Sequence, residues 1–378
     1  MLRFSLAKGA QMQTEAKQGW LAARVPGLGC VCGLMREGRT PGAPWLAALP
    51  VLLGALLAVL LASGAVISVY YNPWHAFASL QGITREVRGG WVVLGYHQTG
   101  ASLIFALLYL HLFRLLLVRG YRAPAEFAWM LWVKLLALLL LTGWLGFVLN
   151  GGAGGYASLF GASNAAMGLT GFPGAVAMWF FGGPPGGASL ARLLVFHVLL
   201  ALCAGWVIWM ACAAARKARP APQGRVVPFW PVYASQYFAA LAVLALVFSV
   251  LLGFAPHWGQ GEQNAIPAGA MAMPVVSWPW YLTPIAGLAG AFPGVLGHVW
   301  AVIAAVALLY ALPWLDRSKG AAPGRGYAAL TWLLGLDVLA LGYVTAFPMG
   351  GLLPELLTFW FFFHFLVLTP LVTMMEAA

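Results

Sequence analysis

Predominantly apolar stretches recur along this chain at about residues 46–69, 91–117, 126–149, 189–214, 232–254, 294–314, 326–346 and 355–374. Each is close to the roughly 20 residues that a helix needs to cross a bilayer. The pattern predicts an all-α polytopic transmembrane helical bundle of about eight spans, and an even count places both termini on one side. The first 45 residues are polar, basic and Gly-rich, and no short apolar stretch there resembles a cleaved signal peptide. The expected organisation is a basic arm (1–45), a four-span bundle (46–225) and a C-terminal four-span part (226–378).

Composition agrees with the pattern. Apolar residues are 62% of the chain, charged residues 8%, and mean hydropathy is +0.87. A soluble domain carries about 25% charged residues, so a soluble fold and a disordered chain are both excluded. Four Cys are too few for a disulfide scaffold. The net charge of +11 would suggest a nucleic-acid partner, but the positions of the charges explain it otherwise. Basic residues lie in the arm (Arg3, Lys8, Lys17, Arg24, Arg36, Arg39), around the second-to-third connection (Arg114, Arg119, Arg122, Lys134), after span four (Arg216, Lys217, Arg219, Arg225) and after span six (Arg317, Lys319, Arg325). All these segments fall on one side, and only Arg85, Arg88 and Arg192 fall opposite. By the positive-inside rule both termini are cytoplasmic, and nucleic acid is not an expected partner. The connection at 150–188 carries no charged residue and is expected to lie along the membrane boundary. That at 255–293 is similar, with Glu262 its one charge.

Histidines bring in the chemistry. A His inside a span is costly without a partner and is a functional candidate. His97 and His111 are fourteen residues apart on span two, nearly four helical turns, which leaves both on one face roughly 21 Å apart along the axis. Two stacked haems need that arrangement, each iron taking one imidazole from this helix and one from a facing helix. Span four supplies His197. Fourteen residues on stands Ala211, between Met210 and Cys212. One axial pair is complete, His97 with His197; the other lacks a ligand.

At this point the residues resemble the cytochrome b subunit of bc-type quinol oxidoreductases, from about 46 to 374. Val69-Tyr70-Tyr71-Asn72-Pro73 with Ala76-Phe77-Ala78-Ser79 resembles the end of that family's first span and its amphipathic connector. Gly90-Trp91, His97, Gly100-Ala101-Ser102, His111 and Arg114 resemble its second span. Arg192, five residues before His197, matches the fourth, and Leu312-Pro313-Trp314-Leu315-Asp316-Arg317-Ser318 resembles another family segment; Asn264-Ala265-Ile266-Pro267-Ala268 is a weaker match. The resemblance implies haem b, a bacterial cytoplasmic membrane, a dimeric complex with iron–sulfur or cytochrome c-type subunits, quinol as a substrate, and Arg192 as a cofactor-binding residue. It also implies paired glycines on spans one and three that let porphyrin edges approach the backbone. For the outer-side haem these are Gly64 and Gly146; for the other they are replaced by Pro50 and Trp132.

Three helices therefore depart from the pattern at one haem: Pro50, Trp132 and Ala211. The expected protein carries one bis-His haem b near the outer face, with His111 left over and bonded to a carbonyl or a water. The alternative is a second haem with Cys212 or Met210 as sixth ligand, or with an open position. Trp278-Pro279-Trp280-Tyr281 stands where the family has Pro-Glu-Trp-Tyr, so Pro279 replaces an acid thought to take a quinol proton. Leu94 replaces an Arg expected to pair a propionate, and 150–155 replaces a Trp-containing segment. The leading expectation is an electron-transfer subunit with impaired or absent quinol oxidation. Its rivals are a non-catalytic structural partner of a complete cytochrome b and a transporter without haem.

The remaining features carry less. Cys30 and Cys32 form a lone Cys-x-Cys, short of the four ligands usual at a structural metal site. Cys203 and Cys212 read as buried thiols and Asp337 as a hydrogen-bonded interior acid or a proton-pathway residue. His298 and His364 read as satisfied interior histidines, and His75 and His257 as solvated ones. Trp91, Trp129 and Trp314 read as interfacial anchors.

Overall fold

The structure, a computed structural model, describes residues 38–39, 44–219, 227–256, 258–261, 265–268, 276–319, 322–348 and 351–376. Cys30, Cys32, Arg225, His257, Glu262 and Asn264 lie outside the described residues, as does the arm apart from Gly38–Arg39 and its last two positions. The helices in chain order are α1 (Pro44–Tyr70), α2 (Ala76–Glu86), α3 (Gly90–Leu117), α4 (Glu126–Leu149), α5 (Ala153–Met167), α6 (Gly171–Phe181) and α7 (Gly187–Lys217). They continue with α8 (Ala234–Phe254), α9 (Thr283–Gly290), α10 (Gly294–Leu315), α11 (Arg325–Ala346), α12 (Leu353–Phe363) and α13 (Thr369–Met375). A π segment, His364–Leu368, joins the last two.

Among the described residues eight helices are long and apolar enough to cross a membrane: Ala47–Tyr70, Gly90–Leu117, Glu126–Leu149, Gly187–Lys217, Phe229–Phe254, Leu296–Leu315, Arg325–Ala346 and Leu353–Met375. They match the eight expected apolar stretches to within a few residues, and the chain is a multi-pass membrane protein. The largest difference from the sequence reading is in the Gly-rich connection after span three. It folds into two helices, α5 and α6, where a loop was expected. Gly155 explains part of this, since a Cβ there would collide with the Phe147 carbonyl. Its absence lets α5 fold back onto the end of α4.

The chain divides into two compact units. In the one drawn from 1–48 and 220–243, Gly38–Arg39 (β1) pairs antiparallel with Val227–Pro228 (β2). The other, 49–219 with 244–378, holds the core and the site. Its core centres on Leu53, Leu56, Ile104, Phe105, Leu108 and Leu135, each at most 2% exposed. Inside a bilayer, lipid solvates such side chains as well as a neighbouring helix does, so close packing and interhelical hydrogen bonds hold the bundle together. α4 and α7 run against each other along the longest seam.

One end of this unit is fastened by a polar network. Arg119, in the left-handed region at φ 50°, turns its buried guanidinium inward. Its Nη2 donates to Glu376 Oε2 at 2.6 Å, Nη1 donates to the Ala322 carbonyl at 3.1 Å, and Nε lies 3.4 Å from Asp316 Oδ2. Asp316 also accepts from Tyr121 Oη at 2.8 Å, Ser318 Oγ at 2.6 Å and Ser318 N at 2.9 Å. The network ties the α3–α4 turn to the α10–α11 turn and the C-terminal helix. Burial alone would raise the Asp316 carboxyl, but the Ser318 and Tyr121 hydrogen bonds and the Arg119 charge hold it below its usual value. Glu376 is likewise held low against its burial by the Tyr327 amide, Arg119 and the Gly324 amide.

Some expectations need correction here. Trp129 is 1% exposed and donates to the Leu309 carbonyl at 2.7 Å, so it is a core residue; Trp91 and Trp314 are exposed. Cys203 is exposed and Cys212 half-buried. Asp337 is buried, but among the described residues neither of its oxygens has a hydrogen-bond partner, and neither does His364 Nδ1. Neither is the satisfied interior group that was expected.

Candidate functional site

α3 and α7 bring His97 and His197 face to face, with ring centroids 6.1 Å apart and planes inclined at 59°. Two imidazole nitrogens each about 2 Å from a shared metal would place their centroids on the order of 6 Å apart. The spacing therefore fits one metal ion held between the two rings.

Backbone carbonyls hold both rings from behind. His97 Nδ1 lies 3.1 Å from the Leu60 carbonyl, with Ser63 Oγ also at 3.1 Å. His197 Nδ1 lies 3.0 Å from the Thr142 carbonyl. A carbonyl can only accept, so each Nδ1 carries the proton and each Nε2 keeps its lone pair for a metal. Such outer hydrogen bonds fix ring orientation and raise ligand basicity.

The same local device appears twice. Leu60 and Gly64 are four residues apart on α1, and Thr142 and Gly146 four apart on α4. In a helix the residue at i+4 stands over the carbonyl at i, and there a side chain would strike the imidazole. A Cβ on Gly64 would lie 2.9 Å from His97 Cε1, and one on Gly146 would lie 3.2 Å from His197 Cε1. The expected glycines thus lie against the two histidines, and what they clear is the imidazole ring itself.

A cavity of about 430 Å³ lies at this pair, lined by His97, His197, Gly64 and Gly146 together with Leu57, Leu61, Leu139, Leu194 and Val198. Its walls also include Leu94, Gln98, Ser102, Gln260, Gly261, Pro279 and Tyr281. Tyr281 is fixed by stacking on Phe105 (4.3 Å, 3°) and by a 2.7 Å hydrogen bond from Tyr109 Oη to its carbonyl. Gln260 Nε2 donates to Gln98 Oε1 at 3.3 Å. Among the described residues no Asp, Glu, Lys or Arg lines the cavity. Pro279 is indeed at its wall, and Leu94 offers no charge to an anionic group.

The second histidine is differently surrounded. His111 is 2% exposed and Trp132, also 2% exposed, meets it edge-on with centroids 4.4 Å apart. Ala211 is fully buried. Among the described residues neither ring nitrogen of His111 has a hydrogen-bond partner, so of the two expected partners, a carbonyl or a water, no carbonyl is found there. His111, Trp132 and Ala211 are all absent from the walls of the cavity.

Arg192 is placed outside the cavity. It is exposed, and Nη1 donates to the Trp179 carbonyl at 2.8 Å, so its side chain turns to the end of α6 and away from the cavity. Sequence reasoning missed Leu60, Ser63 and Thr142. The available signal was positional, four residues before each glycine, but a carbonyl leaves no mark in residue type.

Residues 45–217 match the family described as Cytochrome b/b6/petB, and residues 267–365 match Cytochrome b(C-terminal)/b6/petD. The chain is 31% identical over 345 residues to a cytochrome b of Rhodospirillum rubrum, covering 86% of this chain and 84% of that one. It is 29% identical to cytochromes b of Rickettsia prowazekii (84% of each chain) and of Rhodobacter capsulatus (94% of this chain, 92% of that one). Its fold is similar to a solved chain of a hyperthermophilic respiratory Complex III, with a TM-score of 0.81, 22% identity, and coverage of 95% of this chain and 99% of that one.

Proposed function

The chain belongs to the cytochrome b family of membrane electron-transfer subunits, which bind haem b, and from that premise we propose that it holds a single haem b between His97 and His197. The observation that carries this reading is the pair of imidazoles 6.1 Å apart, each with Nδ1 committed to a carbonyl, which leaves the Nε2 lone pair for a metal. Haem iron with two imidazole ligands supplies one-electron oxidation and reduction. The residues supply the rest: Leu60 and Thr142 orient the ligands, Gly64 and Gly146 leave them room, and leucine and valine side chains give the site mostly apolar walls.

The second family site is read as lost. Trp132 stands against His111 where the family keeps a glycine, and Ala211 cannot ligate. The rival arrangement, with Cys212 or Met210 as a sixth ligand, would have to displace that indole. Quinol oxidation by this chain is read as impaired or absent, because general base catalysis needs a titratable group within reach of the reacting proton and Pro279 cannot serve. The chain then passes electrons between quinol or a redox partner and another subunit of a bc-type dimeric assembly containing an iron–sulfur or cytochrome c-type protein. It lies in a bacterial cytoplasmic membrane with both termini cytoplasmic, which reporter fusions to the two ends would test. Pyridine haemochrome analysis of the purified chain is expected to give one haem b per polypeptide. Two haems, or one that survives His97→Ala, would overturn the reading.

A further inference from the structure

α6 is an 11-residue helix, GFPGAVAMWFF, apolar on every side. Gly174 is its one buried residue, while Phe172 is 81% and Trp179 66% exposed. A helix apolar all round belongs in a protein core or in lipid, and this one is not enclosed by protein. Its chain context agrees, since residues 150–188 carry no charged side chain.

Its contacts give a depth. Phe180 packs on Phe196 with centroids 4.6 Å apart, and Trp179 on the same ring at 5.5 Å. Phe196 belongs to α7, a 31-residue helix that begins at Gly187. At 1.5 Å per residue α7 is about 46 Å long, and Phe196 lies about 13 Å from its start. Against a hydrocarbon core of about 30 Å, a centred α7 overhangs by about 8 Å at each end, so Phe196 is about 5 Å inside. Arg192 then falls at the hydrocarbon boundary, where a long basic side chain can keep its head in the polar layer. There its Nη1 donates to the Trp179 carbonyl in the last turn of α6, at the negative end of that helix.

We propose that α6 is inserted in the bilayer leaflet at that end of the spans, its Phe172 and Trp179 face covered by lipid acyl chains and its C-terminus clasped by Arg192. Val195 and Leu199 of α7 are likewise apolar and exposed on a helix long enough to cross a membrane, and α6 adds to that apolar surface. This placement depends on the spans alone and stands whether or not a haem is bound.

The test uses the full chain in its native membranes, with benzoylphenylalanine introduced at Phe172 or Trp179 and photoactivated. Adducts predominantly to phospholipid support the proposal; adducts to a polypeptide mean that a partner subunit covers the helix and overturn it. In a background without the four native cysteines, a nitroxide on Val176→Cys gives a second reading. High collision with oxygen and low collision with a soluble nickel chelate support insertion, and the reverse overturns it. Arg192→Met is expected to raise nickel access at this label with haem content unchanged. Loss of haem with the label unmoved would show that Arg192 serves the cofactor, and the clasp would be wrong.

Discussion

The two glycines give the sharpest test of how the His97 and His197 rings, the proposed haem ligands, are held. In Gly64→Ala the new methyl would lie 2.9 Å from His97 Cε1, closer than carbon atoms approach one another, and ordinary contact begins near 3.4 Å. The ring must therefore retreat by about 0.5 Å, whereas metal sites tolerate only about 0.2 Å in ligand distance. It cannot slide freely, because Leu60 O and Ser63 Oγ hold Nδ1. In Gly146→Ala the gap is 3.2 Å, and a few tenths of an ångström suffice. Disturbing the support of a metal ligand typically costs about 10–100-fold in affinity. Gly64→Ala is expected in that range, and Gly146→Ala below it. Haem retained per chain after graded detergent washing measures both, with helix content by circular dichroism as the control for folding. Equal effects, or a larger effect from Gly146→Ala, would refute this account of the rings.

Further expectations concern the second site and the polar network. Ala211→His alone should leave the haem ratio at one, since Trp132 still stands against His111; a second haem in that single variant would show that the indole yields readily. Arg119→Met removes the nearer of the two cations beside the buried Asp316 carboxylate, Arg122 Nε remaining 4.0 Å away, so the cost is expected below the about 3–5 kcal/mol typical of breaking a buried ion pair outright. Thermal unfolding should fall accordingly, and an unchanged midpoint would show that the network contributes nothing. Asp316 and Glu376 are held below their usual values, so the folded state favours their charged forms. That stabilisation is complete above the unfolded carboxylate range, near about pH 4, and is lost as pH falls through the lower folded values. Thermal stability should thus be level above about pH 5 and decline on acidification, with a shallower decline in Asp316→Asn.

How much of this was legible without coordinates differs from one feature to the next. Spans could be read because each is a continuous apolar run, a property of local sequence. The His97–His197 pair could be read because helical periodicity puts His97 and His111 on one face and the chain offers few other intramembrane histidines. Helices α5 and α6 could not, since packing of Gly155 on Phe147 and of Phe180 on Phe196 decides them, and those contacts bridge separate segments. The partner of Arg192 could not be read because a long side chain can turn either way, and here the Trp179 carbonyl at the end of α6 was in reach. The Arg119 network was invisible for another reason: Arg119, Asp316 and Glu376 are far apart in the chain and meet only when the ends of five helices converge.

Whether one haem or two reside here is decided most directly by a redox-titrated absorption spectrum of the purified chain. A single one-electron transition from a low-spin b haem, abolished by His197→Ala, is the expected result. Two resolved transitions, or a spectrum that survives that substitution, would contradict the account.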